Sequence, residues 1–132
     1  MGLLRRLRDR LVRRGEPPPE IDSPDLEVVA EAFDFAEADS AVLARSPGLR
    51  PEAPAVLRHH LRIPPDQRGR AAEILAQDDW EFRAGEVCHA LRVQVLTALS
   101  CAQERSRMAS LAQRLDGEWL GWDALQVRQG SA

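Results

Sequence analysis

DGEWLGWDAL, Asp116–Leu125, places two tryptophans three residues apart around a glycine, directly behind a stretch with helical spacing. Successive side chains of a strand point to opposite faces, so residues three apart in a regular strand cannot both enter one core. Either Trp119 and Trp122 face opposite ways, or a bulge at Gly121 brings them together. The segments upstream decide what kind of sheet this strand closes.

Directly before it, SCAQERSRMASLAQRLDG reads as a helix with Ser100 as its cap and Gly117 as its stop, and with Met108, Leu111, Ala112 and Leu115 on its buried face. Ahead of that helix VCHALRVQVLT alternates, with Val87, His89, Leu91, Val93 and Val95 opposite Cys88, Ala90, Arg92 and Gln94. DWEFR alternates as well, Trp80 and Phe82 against Glu81 and Arg83, and AGE serves as the turn between the two strands. PPDQRGRAAEILAQ predicts a helix starting after Pro64 and Pro65, with Ala71, Ile74 and Leu75 inward. In VLRHHLRIP, Leu57, His59, Leu61 and Ile63 share one face, and Val56, Arg58, His60 and Arg62 the other. The order over residues 55–128 is β-α-β-β-α-β. It predicts an α+β, ferredoxin-like domain: a four-stranded antiparallel sheet with both crossover helices on one face and the other face open.

Residues 1–50 are expected to form a separate N-terminal helical arm. GLLRRLRDRLVRR places Leu3, Leu4, Leu7 and Leu11 on one stripe of a basic amphipathic helix, among Arg5, Arg6, Arg8, Arg10, Arg13 and Arg14. GEPPPEIDSP then forms an extended spacer. Ser23 and Pro24 read as the cap and first residue of an acidic helix running to about Arg45, with Leu26, Val29, Phe33 and Ala36 on one face. Residues 1–14 hold six Arg and one Asp, whereas residues 15–44 hold nine acids and no base. The acidic helix could therefore cover the open sheet face, with Glu27, Glu31, Asp34 and Glu37 toward its arginines.

With 132 residues, 44% of them hydrophobic, the chain can bury a real core. Its longest apolar runs fall far short of a bilayer span, and no signal-peptide core follows the N-terminal arginines. Two cysteines without CxxC spacing point to reduced thiols and a cytoplasmic setting.

No metal site or cofactor is expected. His59, His60, Cys88 and His89 fall on strands where neighbours face opposite ways, so at best His59 and His89 share the core side, too few ligands for zinc. No catalytic residue is expected either: Cys88 points away from His89, and Asp78, Asp79 and Glu81 lie on a solvated turn. The open face should carry Arg58, His60, Arg62, Glu81, Arg83, Arg92 and Gln94, which makes it mildly basic. Neither long strand bears the aromatics that stack bases, so any contact with nucleic acid would not be sequence-specific.

Three features of this half resemble the RraB family, protein regulators that bind and inhibit ribonuclease E. One is RHHL at Arg58–Leu61, and one is the element order. The most specific is SLAQRLDGEWLGWDAL, which matches a family pattern of Leu-Ala followed by Asp-x-Glu-aromatic-x-Gly-Trp, here Asp116–Trp122. The resemblance covers residues 55 to about 127. The family's regulators are strongly acidic, whereas this domain is nearly neutral and follows an arginine-rich leader. It implies a non-catalytic regulator that binds a ribonuclease E-like protein, with Trp122, Asp123, Arg58, His60, Arg62 and Arg92 as expected contacts by position. The alternative is a nucleic-acid or membrane-surface module acting through Arg5, Arg6, Arg8, Arg10, Arg13 and Arg14. A homodimer joined through the two open faces is a third expectation.

Overall fold

A computed structural model describes residues 18–129. The expected arginine helix, with Arg5, Arg6, Arg8, Arg10, Arg13 and Arg14, lies outside the described residues. The fold is mixed α+β. Its strands are β1 (Leu26–Ala32), β2 (Pro54–Arg62), β3 (Glu81–Arg83), β4 (Cys88–Val95) and β5 (Glu118–Val127). Its helices are α1 (Asp39–Ala44), α2 (Arg68–Ala76), entered through a short 3-10 turn, and α3 (Ala98–Arg114). All strand pairs are antiparallel, in the sheet order β1-β5-β2-β4-β3.

The sheet has five strands, where the alternation of residues 55–128 accounts for four. The fifth is β1, in the stretch expected as an acidic helix from Ser23 to Arg45. LEVVAEA also carries paired β-branched valines, and β5 presents an edge to it, so pairing overrides a three-to-four spacing of apolar residues. Ser23 caps no helix. Its hydroxyl accepts from the Glu20 N–H at 2.9 Å, closing a turn ahead of β1. Only α1 remains helical in this part of the chain.

Both crossover helices stop in the same way. Asp116 takes a left-handed conformation at φ 61, and the Gly117 N–H returns to the Ala112 carbonyl at 2.8 Å. Asp79, at φ 65, precedes the matching Trp80-to-Leu75 bond at the end of α2. Gly117 is required for space, because a Cβ there would meet the Arg62 carbonyl oxygen. At the start of α3 the cap is Thr97, with Ser100 as its reciprocal partner in a capping box, not as the cap itself.

The core lies between the sheet and the helices. Leu57, His59 and Leu61 of β2 enter it, as do Cys88 and Ala90 of β4. Both tryptophans of β5 enter it too. His60 pairs with Gly121 and Leu61 with Trp119, so Leu120 is the extra residue of a bulge. Gly121 sits at φ +138, and the slip sends Trp119 and Trp122 to the same face. A Cβ at Gly121 would lie 2.5 Å from Phe33 Cδ1 and 2.7 Å from the Ala32 carbonyl oxygen.

Gly121→Ala should therefore lower stability by at least about 2 kcal/mol in urea denaturation, strain and collision acting together; an unchanged midpoint would mean that the bulge relaxes freely. Residues 55–132 alone, the part that the sequence sets apart from an arm over residues 1–50, would leave the β1 side of β5 unpaired and remove α1. Such a fragment should lose the cooperative thermal transition of the full chain. A circular-dichroism melt as sharp and as high as that of the full chain would show that β1 is dispensable.

Candidate functional site

On the face away from the helices, polar side chains from β2, β4 and β5 converge on Asp123. Register places it opposite Arg58, while His60 stands opposite both Gly121 and His89. Arg58 donates to both carboxylate oxygens, Nε to Oδ1 at 2.8 Å and Nη2 to Oδ2 at 2.6 Å. A carboxylate only accepts, so His60 donates from Nε2 to Oδ1 at 2.9 Å. Its Nδ1 lies within hydrogen-bond distance of His89 Nε2, at 3.2 Å. Phe33 closes over His60 edge to face, with centroids 5.0 Å apart.

Asp123 is only 4% exposed. Burial works to raise its pKa, but the hydrogen bonds and charges of Arg58 and His60 outweigh that and hold the carboxyl below its ordinary value. His89 is shifted down, first by burial and then by repulsion from His60 and Arg58. The cluster thus fixes the direction of two imidazoles against one buried carboxylate. Among the described residues no hydroxyl or thiol hydrogen-bonds to either ring, and no three His, Cys, Asp or Glu side chains converge as a metal would require.

Of the residues singled out in the sequence, Arg58, His60 and Asp123 meet here. Arg62 lies at the end of the same face, paired with Glu118 at 2.6 Å. Trp122 is fully buried on the opposite face, its Nε1–H donated to Asp39 Oδ1 at 3.0 Å, so it has no surface to offer a partner. Arg92 is not on the open face. Register sets it opposite Leu57, and it stacks on Trp80 at 4.1 Å while bonding to Glu104 of α3. Gln94 joins the same carboxylate. The expected faces of β4 are thus reversed: small Cys88 and Ala90 fit beneath the helices, and paired Arg92 can be buried beside them. His59 and His89 consequently lie on opposite faces of the sheet.

No protein-family model, curated protein or solved structure matches this chain.

The open face is itself partly closed. Val56 is 1% exposed although its register puts it there, and Asp22, ahead of β1, is bound to Arg83. At its His60 end the face is met by Asp22, through Arg83, and by Phe33, where the sequence suggested a helix bearing Glu27, Glu31, Asp34 and Glu37. Of those, Glu37 pairs with Arg45 and Glu27 with Arg128. Phe33 went unrecognised as a member of the cluster because helical spacing assigned it to a buried stripe. Its place directly after β1 is the signal that would have found it.

On the core face, Trp119 Nε1–H donates to His59 Nδ1 at 3.0 Å, which puts the imidazole proton on Nε2. That atom has no hydrogen-bond partner among the described residues, and the Trp80 ring stands edge to face with His59, centroids 5.3 Å apart. Burial, helped by the charges of Arg92 and His60, pushes the His59 pKa down from 6.5 to about 3. The unfolded chain takes up this proton below about pH 6.5 and the native chain does not, so folding stability falls as pH drops through that window. The limiting slope is about 1.4 kcal/mol per pH unit for one group. Urea midpoints measured from pH 7 to 4 should show the loss, and His59→Gln should flatten it while lowering the plateau. A His59→Gln profile parallel to that of the natural chain would place the effect elsewhere.

Proposed function

We propose that the chain is a non-catalytic, cytoplasmic regulator of the RraB type, which binds ribonuclease E or a similar RNA-turnover protein and modulates it by protein contact. On this reading its last four strands, in sheet order β5-β2-β4-β3, form a ferredoxin-like domain extended by β1 at one edge. The observation that carries it is that the two stretches bearing the resemblance are one unit in space. RHHL and D-x-E-W-x-G-W lie on paired strands: Trp119 donates to His59, His60 stands opposite Gly121, and Arg62 pairs with Glu118 at the motif's start. Residues about sixty positions apart support one another there, which argues for a common fold more strongly than either motif does alone.

Charge favours a protein partner over nucleic acid on the open face. Arg58, Arg62 and Arg83 each pair with a carboxylate, so little positive charge is left to attract phosphate. The buried motif residues hold the fold, and partner contacts fall to other surfaces.

Immobilised full-length chain should capture ribonuclease E from its own cell lysate after nuclease treatment, with little loss as salt rises, and should change the cleavage rate of purified ribonuclease E. Capture that vanishes with nuclease, or an unchanged cleavage rate at saturating chain, would overturn the assignment.

A further inference from the structure

The edge of the sheet formed by β1 has features beyond the core and the Asp123 cluster, with Phe33 shared between edge and cluster. As an outer strand, β1 leaves one flank of its backbone without a neighbouring strand, an arrangement that receives extended chains. Three of the five exposed large hydrophobic side chains among the described residues lie there. Val28 is 42% and Phe33 46% exposed, and Val127, opposite Leu26, is 36% exposed. Isolated exposed apolar residues are ordinary, but a cluster along one edge marks a contact surface. A groove follows this edge between β1 and the turn after α1, lined by Val28, Val29, Glu31, Phe33, Asp34 and Arg45.

The rim of the groove is acidic. Arg45 is bound to Glu37 and also donates to the Glu31 carbonyl at 2.9 Å. Glu31 and Asp34 are exposed carboxylates that form no ion pair among the described residues. Three carboxylates thus surround one guanidinium that is already engaged.

We propose that this groove takes an extended, basic segment of a partner protein, its apolar side chains against Val28 and Phe33 and its Arg or Lys side chains beside Glu31 and Asp34. The proposal rests on the reading of the chain as a protein-binding regulator and gives that reading a surface. An acidic segment would stand against the rim. So would a second copy, whose β1 brings the same carboxylates, and the bulge at Val29 denies two such edges a common flat register. Because Arg45 occupies the Glu31 carbonyl, the free stretch of edge is Leu26–Ala30.

The probe is a fluorescent nine-residue peptide of alternating arginine and valine, with a glutamate–valine peptide as control, titrated against the full-length chain and followed by hydrogen exchange. The arginine peptide should bind and slow amide exchange at residues 26–30. Its affinity should fall at least tenfold in a Glu31→Arg, Asp34→Asn double variant and in Val28→Asp, both with melting temperatures near that of the natural chain. The Asp34→Asn change removes the charge and leaves a side-chain oxygen to accept from the Ala36 N–H, as the carboxylate does now. Equal binding of the glutamate peptide, protection confined to another surface, or unaffected variants would overturn the site. So would a peptide-free dimer protected at residues 26–30, or such protection lost on removing residues 1–14, because a second copy or the chain's own arm would then fill the groove. Ribonuclease E capture keeps the two readings apart: equal capture by natural and variant chains removes the groove and leaves the regulator, whereas peptide binding at β1 without capture leaves the groove and removes ribonuclease E.

Discussion

One extra residue in β5 governs the arrangement of both faces of this sheet. Without the bulge at Leu120 and Gly121, Trp119 and Trp122 would alternate, and one large ring would be forced out of the core. With it, both rings lie under the helices, and the remainder of β5 continues in the register that aims Asp123 at Arg58 and His60. The backbone at φ +138 admits this because the residue is glycine, and Phe33 occupies the space that a side chain would need. The core and the polar cluster are thus set by the same local slip.

The tryptophans repay their burial with specific partners. Trp122 donates to Asp39, which also receives Arg105 of α3 at 3.4 Å, so a short N-terminal helix, the last strand and the long helix meet at one buried carboxylate. Trp119 lies near Phe35, centroids 5.3 Å apart, and near the Arg105 guanidinium at 5.0 Å, while its N–H goes to His59. The loop between β1 and α1 is held by these contacts, since Arg105 also donates to the Phe35 carbonyl at 2.9 Å.

The order of elements after residue 54 was legible because each segment obeys a single period and is bounded by Pro, Gly or Asp. The two-sided possibility at Gly121 was legible for the same reason: two rings at odd spacing conflict with alternation. The identity of β1 was not. Leu26, Val29 and Phe33 fit helical spacing, and the bulge at Val29 spoils the alternation that would have marked a strand. The faces of β4 failed differently. Val93 and Val95 read as core, but Arg92 is the residue that turns inward, because Trp80 and Glu104 receive its stem and charge. Pairing across elements, which no local period encodes, decides such positions.

β5 is the last strand in the chain, yet it lies inside the sheet, between β1 and β2. Of the five strands β1 comes first in sequence and its pairing partner β5 comes last, so this pairing is the most non-local in the sheet. Until β5 is available, β1 has no strand partner. The dense negative charge of the N-terminal acidic stretch suits that interval, because like-charged edges on neighbouring nascent chains repel one another.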